Sequence, residues 1–163
     1  VTTAKIRSHF HDHSRSFPES IDDVDSALDL LLDEFVIPGF ASNRLTFVVE
    51  YPASQAALAR VKKNRDGIEI ALRFEAFLGT NELANGFYEL ADGAEQLRRF
   101  EQDNVRRQSR GQTPMPIDRA LIEALNAEFP ECSGVAMGLE RVFMAVSGAA
   151  HIQQVQSFGA HNA

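Results

Sequence analysis

The segment Glu82–Leu90 constrains the fold of this chain more than any other part of the sequence. It reads Glu-Leu-Ala-Asn-Gly-Phe-Tyr-Glu-Leu. Side chains of a strand alternate between its two faces, so one face of an extended segment carries every second residue, namely Leu83, Asn85, Phe87 and Glu89. An amide, an aromatic ring and a carboxylate suit a small molecule with an ammonium group, because the carboxylate pairs with the cation and the ring covers the aliphatic stem. An edge strand whose polar groups face water is the alternative.

A second strand is predicted just before this segment. The apolar run Ile68–Phe74 is followed by Glu75, and Gly-Thr-Asn at positions 79–81 is typical of a turn. Two strands joined by that turn place Glu75 and Glu82 near the same end of a hairpin. Paired carboxylates there can hold a divalent metal ion, and Mg²⁺ bridging phosphate groups is the usual case.

A third feature lies near the end of the chain. A strand of small residues, 132–137, leads through Gly138 into an apolar helix that carries Arg141 in its first turn. Glycine lets a nucleotide approach the backbone, and an arginine at a helix N-terminus offers positive charge to a phosphate. Close packing of a helix on a sheet also favours small residues, and is the alternative.

Composition places the chain among globular proteins of one domain. It has 163 residues, of which 44% are hydrophobic and 24% charged. The net charge of −7 argues against a domain that grips nucleic acid phosphates, but not against ATP accompanied by Mg²⁺. One cysteine, Cys132, allows no internal disulfide, and no apolar run is long enough to span a membrane. We therefore expect a cytoplasmic protein. Because the chain begins at Val1 rather than at a methionine, we also expect a fragment or a processed product.

The remaining periodicity predicts an α+β fold, with helices packed on an antiparallel sheet. Helices are predicted over 20–35, 54–63, 92–111 and 117–129, and strands over 45–51, 68–78, 82–90 and 132–137. The apolar stripe expected on the third helix is Leu97, Phe100 and Val105. Residues 1–19 are predicted to be irregular. On a strand, their three alternating histidines, His9, His11 and His13, would share one face and form a possible metal site.

Four motifs together identify a family. They are Arg-Phe-Glu at 73–75, the segment 82–90, Gln-Asp-Asn at 102–104 and Gly-Val-Ala-Met-Gly-Leu-Glu-Arg at 134–141. From about Ser20 onward the chain resembles the C-terminal half of class II lysyl-tRNA synthetases. It is more similar to their paralogues without an anticodon domain, the ligases that attach a β-lysyl group to elongation factor P. The resemblance implies that residues 20–163 form the C-terminal part of a class II catalytic core, containing motif 3.

The resemblance also implies roles for individual residues. Glu75 and Glu82 would hold Mg²⁺ together with ATP. The nucleotide would contact Glu82 and three further residues, Leu83, Gly138 and Arg141, and Arg141 would act in catalysis. The lysine site would be lined by Asn85, Phe87 and Ala136, and Glu89 would meet the ε-ammonium group.

The sequence departs from the family in three places. Ala136 stands where lysyl-tRNA synthetases usually have glycine, while the elongation factor P ligases resemble this chain in having alanine. Glu140 replaces the usual aspartate of motif 3. Motifs 1 and 2 are absent, and with them the dimer-forming helix and half of the ATP site, so we expect the homodimer only in a full-length enzyme.

Three hypotheses follow. The first is a ligase that activates lysine or β-lysine with ATP as an aminoacyl-adenylate and transfers it to a lysine of elongation factor P. The second is the core of a lysyl-tRNA synthetase, with tRNA as the acceptor. The third is a synthetase-like binding module without catalysis.

Overall fold

The computed structural model describes residues 1–127 and 129–159. The described α-helices are α1 (Thr3–Asp12), α2 (Val24–Leu31), α3 (Gly93–Ser109), α4 (Arg119–Asn126) and α5 (Leu139–Ser147). The described strands are β1 (Leu45–Pro52), β2 (Val61–Lys63), β3 (Glu69–Leu78), β4 (Asn81–Tyr88) and β5 (Ser133–Met137). Short π or 3₁₀ turns cover Leu32–Val36, Ile37–Gly39, Ala53–Gln55 and Ile152–Gln154. The predicted α+β class is confirmed.

The strands of the described ranges form one sheet in the order β1-β3-β4-β5, and β2 also pairs with β3. Strand β2 is antiparallel to β3, with Val61 opposite Ala71. Strands β3 and β4 form the predicted hairpin, whose loop is Gly79–Thr80. Gly79 has φ +57, and a Cβ there would lie 3.2 Å from the Cα of Ser42. Both facts favour glycine at this turn.

The chain divides into two compact units. The first contains Val1–Phe47, Glu75–Ala84 and the residues from Met137 onward, and the second contains Val48–Phe74 and Asn85–Ala136.

The core of the first unit lies where α1 packs against α2. Ile6, Phe10 and Ala27 are buried there, and the Phe10 ring meets Phe35 edge-on at 4.8 Å between centroids. The expectation of an irregular segment over 1–19 was therefore wrong for Thr3–Asp12, while residues 13–19 form neither helix nor strand. Ile6 and Phe10 are four residues apart and share one face of the helix, whose N-cap Thr2 accepts a hydrogen bond from the Lys5 amide.

The three histidines lie on or just after this helix rather than on a strand. His9 and His13 are one turn apart, with ring centroids 4.2 Å from each other, and both rings contact Phe35. His11 falls on a different side of the helix, because only residues three or four apart are neighbours. Throughout the described ranges, no group of three or more His, Cys, Asp or Glu side chains is placed to hold a metal ion.

The core of the second unit is formed by Tyr51 with three alanines, Ala56, Ala59 and Ala71, and Phe87 packs against it. Helix α3 packs against α4, whose Ile122 and Leu125 are buried. Val105 was predicted to belong to the apolar stripe of α3, and this assignment was wrong, because Val105 is 64% exposed. Gln96 is buried on this helix instead.

Three predicted helices differ in their bounds or their type. The helix expected from residue 20 begins at Val24, because the Asp23 carboxylate caps it by accepting the Ser26 amide at 2.9 Å. Likewise α4 begins at Arg119 after its N-cap Asp118. The helix predicted over 54–63 was wrong. A 3₁₀ turn and strand β2 occupy that range, because pairing with β3 outweighs local helix propensity.

Among the described residues, no helix is both long enough and apolar enough to cross a bilayer.

Candidate functional site

In the first unit, helix α5 positions Arg141 against strand β4. The helix begins after its N-cap Gly138, so Arg141 lies in the first turn, as predicted. Its Nη1 donates to the backbone carbonyl of Glu82 at 2.7 Å and lies 3.5 Å from the Glu82 Oε2. The side chains of Arg141 and Glu82 are 52% and 39% exposed, so both charged groups reach solvent.

The residues predicted to contact the nucleotide come together here. The amide of Gly138 donates to the carbonyl of Leu83 at 3.0 Å, which joins the end of β5 to β4 directly beside Glu82. A Cβ on Gly138 would meet only the Arg141 side chain, at 3.4 Å. Glu82, Leu83, Gly138 and Arg141 therefore form one group. Glu75 is half-buried on β3 in the same unit, and its pairing with Glu82 around a metal ion stays a prediction.

In the second unit, the pairing of β4 with β5 places the residues predicted to bind lysine. The Glu89 amide donates to the Cys132 carbonyl at 3.0 Å. In an antiparallel pair, moving two residues back along β4 corresponds to moving two residues forward along β5. Phe87 therefore lies opposite Gly134, and Asn85 lies opposite Ala136. These five residues share a face: Asn85, Phe87, Glu89, Gly134 and Ala136.

The period-two interpretation of β4 is supported by its burial. Ala84 and Gly86 are buried on one face, while the alternate residues Asn85 and Phe87 are half-buried on the other. The strand ends at Tyr88, earlier than expected, and Glu89 extends the pairing through an isolated bridge to Ala59 and through its amide hydrogen bond to Cys132.

Arg73 supports this face and was missed in the sequence. Its Nε donates to the Asn85 Oδ1 at 3.3 Å, and its Nη1 donates to the Gln55 carbonyl at 3.1 Å. Its guanidinium also stacks over Tyr51, 4.4 Å from the ring centroid, and lies 5.9 Å from that of Phe87. The signal was present, since Arg73 is the one basic residue of strand β3.

Arg60 fixes the backbone at Glu89 and was also missed. Its Nε donates to the Glu89 carbonyl at 3.0 Å, and its Nη1 donates to Glu131 at 2.7 Å. The Tyr88 hydroxyl donates to the other oxygen of Glu131 at 3.2 Å. The hydrogen bond from Arg60, followed by that from Tyr88, holds the pKa of the Glu131 carboxyl below its ordinary value. Nothing in the local sequence indicated this pairing, because 71 residues separate Arg60 from Glu131.

Comparison with known proteins gives two findings. Residues 20–162 match the family described as class II tRNA synthetases (D, K and N). The chain is also 49% identical over 136 residues to the elongation factor P–(R)-β-lysine ligase of Photobacterium profundum. That alignment covers 83% of the chain and 42% of the relative, so the chain spans less than half of the relative's length.

Proposed function

Because the chain belongs to the family of class II tRNA synthetases (D, K and N), we propose that it carries the lysine-binding part of an ATP-dependent ligase. Its substrate is lysine or (R)-β-lysine, and its acceptor is a lysine of elongation factor P. The relative from Photobacterium profundum, named as such a ligase, supports this substrate and this acceptor.

The observation that carries the proposal is the face shared by Phe87 and Glu89. The family includes members for aspartate (D), asparagine (N) and lysine (K), and only lysine ends in a cation. A carboxylate beside an aromatic ring attracts an ammonium group and repels a second carboxylate. Glu89 is half-buried, so its charge is less screened than a fully exposed one. The second unit therefore favours lysine over the other two amino acids.

The first unit supplies groups that suit ATP. Arg141 has the planar fork of donors that matches phosphate oxygens, and half of its side chain is exposed to receive them. Glu75 and Glu82 offer the carboxylate oxygens that Mg²⁺ prefers, so this donor set fits the ion that the family implies. When bound, Mg²⁺ would neutralise charge on the phosphates.

The proposed reaction has two steps. A carboxylate oxygen of the amino acid attacks the α-phosphorus of ATP and forms an acyl-phosphate bond. The bond between the α-phosphorus and the bridging oxygen to the β-phosphorus breaks, and pyrophosphate leaves. The neutral ε-amine of the acceptor lysine then attacks the carbonyl carbon and forms an amide. The bond between that carbon and the AMP oxygen breaks, AMP leaves with its electron pair, and the nitrogen loses one proton to solvent. In this scheme Glu89 holds the distant ammonium and Arg141 offsets phosphate charge, so the protein acts by positioning and by electrostatic stabilisation.

The test is pyrophosphate exchange into ATP, measured with each amino acid in turn on a complete enzyme that contains this chain together with motifs 1 and 2. We expect exchange that depends on lysine or (R)-β-lysine, is lost in Arg141→Ala and is retained in Arg44→Ala. Arg44 is an exposed arginine of the same unit and serves as the matched control. Exchange that is equal with aspartate, or that survives in Arg141→Ala, contradicts the proposal. Transfer of the activated group to elongation factor P rather than to tRNA then identifies the acceptor.

A further inference from the structure

The Glu89 carboxylate lies in the space that a side chain at position 134 would occupy. A Cβ built on Gly134 would overlap the Glu89 Oε1 and would lie 3.2 Å from its Cδ. The φ of Gly134 is not in the left-handed region, so the backbone conformation there is open to other residues. Glycine at position 134 therefore leaves the Glu89 carboxylate space that any larger residue would take from it, and backbone conformation plays no part.

Other glycines show that this contact is specific. A Cβ on Gly39 would meet nothing within 4 Å. A Cβ on Gly86 would overlap the Phe74 ring and lie 2.9 Å from the Gly134 carbonyl. Of these positions, only Gly134 has a charged group in the space beside it.

The backbone of Glu89 is held on both sides, so it cannot shift to make room. Its amide donates to the Cys132 carbonyl at 3.0 Å, and its carbonyl accepts from the Arg60 Nε at 3.0 Å. A methyl group at position 134 would therefore displace the carboxylate by rotating the Glu89 side chain rather than by moving the strand.

We propose that Gly134 is a positioning residue that sets where the Glu89 carboxylate meets the ammonium group of the substrate. The inference rests on the proposed function, and it adds a residue that neither touches the ammonium group nor carries charge. A larger residue at position 134 turns the Glu89 side chain and so weakens recognition of lysine, although the protein still carries the carboxylate.

The first test measures the contact without any ligand. Thermal unfolding is compared for Gly134→Ala, Glu89→Ala and the double variant, which together form a double-mutant cycle. Because the methyl group meets the flexible end of a side chain, we expect Gly134→Ala to lower Tm only slightly in the parent, and to have no such effect once Glu89 is alanine. Gly86→Ala is the matched control, because its overlap with Phe74 is not relieved by Glu89→Ala.

If Gly134→Ala alone fails to fold, the double variant still decides, since it folds only if the carboxylate is the obstacle. Additive effects in the cycle, or an unfolded double variant, would overturn the proposed contact.

The second test measures lysine affinity by calorimetry on the chain. We expect Gly134→Ala to weaken binding by about tenfold or more, and Gly39→Ala to leave it unchanged. Combining Gly134→Ala with Glu89→Asp shortens the obstructed side chain and should restore part of the affinity. Equal affinities of Gly134→Ala and the parent would overturn the positioning role. The two experiments can also give different answers. If the unfolding cycle shows coupling but the parent chain binds aspartate more tightly than lysine, Gly134 places Glu89 as proposed and the proposed function is wrong.

Discussion

Arg141 Nη1 lies 2.7 Å from the backbone carbonyl oxygen of Glu82 and 3.5 Å from the carboxylate Oε2 of the same residue. The short contact anchors one end of the guanidinium to the hairpin. The longer one is an ion pair exposed to solvent, so it contributes little to stability. The remaining donors of the fork are thereby held at the start of α5, where a phosphate is attracted by the helix N-terminus.

This geometry predicts that Arg141→Lys separates nucleotide chemistry from amino-acid binding. Lysine keeps the charge but loses the fork, so adenylation kcat/KM should fall by roughly 10- to 100-fold, about 1.4–3 kcal/mol. Lysine affinity measured without ATP should not change. Arg44→Lys controls for the substitution itself. Equal losses in adenylation and in lysine affinity would mean that Arg141 stabilises the fold as a whole rather than the nucleotide site.

Ala136 is predicted to influence the choice between lysine isomers. Its position opposite Asn85 places its methyl group on the face that carries Glu89. In a packed pocket one methyl group contributes about 1–3 kcal/mol of discrimination. Ala136→Gly should therefore shift the ratio of adenylation kcat/KM for (R)-β-lysine and lysine towards lysine, measured side by side. An unchanged ratio would make Ala136 ordinary strand packing.

A further prediction concerns pH and the start of helix α3. Hydrogen bonds from Arg98 and then Arg99 lower the pKa of Glu95 to about 2. Arg99 also donates to the carbonyls of Ala57 and Ala59, so the cluster ties α3 to the segment just before strand β2. A carboxyl whose pKa is lower in the folded state stabilises the fold above its ordinary pKa of 4.5, and this stability is lost as the pH falls towards 2.

Glu95→Gln should accordingly lower the free energy of unfolding at pH 7 by roughly 1–2 kcal/mol, allowing for the partial exposure of the cluster. The difference between parent and variant should shrink between pH 4.5 and pH 2. Urea unfolding at several pH values measures it, with Glu101→Gln on the same helix as the control. A difference that stays constant with pH would contradict the assignment to Glu95.

The hairpin and the motif 3 helix were predictable because local pattern alone determines them. Alternation along β4, the glycine turn at Gly79 and the apolar helix after Gly138 each need only a few neighbouring residues. Hydrophobic periodicity predicted the ends of the helices less well, since a capping residue such as Asp23 sets where a helix begins.

What failed depended on partners distant in sequence. Strand β2 is stabilised by pairing with β3, and helix α1 is stabilised because Phe10 packs against Phe35. Arg60 and Arg73 support the predicted lysine face through contacts that local periodicity does not encode. Gly134 was noted only as part of a motif, because its role depends on where the Glu89 side chain turns.

In the proposed function, the face carrying Glu89 recognises a lysine-type ammonium group. Calorimetry with the chain should measure four amino acids under one condition: (R)-β-lysine, lysine, aspartate and asparagine. We predict binding of one or both lysine isomers and none of the other two. Glu89→Gln should weaken that binding by roughly 2–5 kcal/mol, much of which reflects a substrate ammonium group left without its carboxylate partner. Binding of aspartate or asparagine at least as tight as that of lysine, or lysine affinity that is unaltered in Glu89→Gln, would contradict the claim.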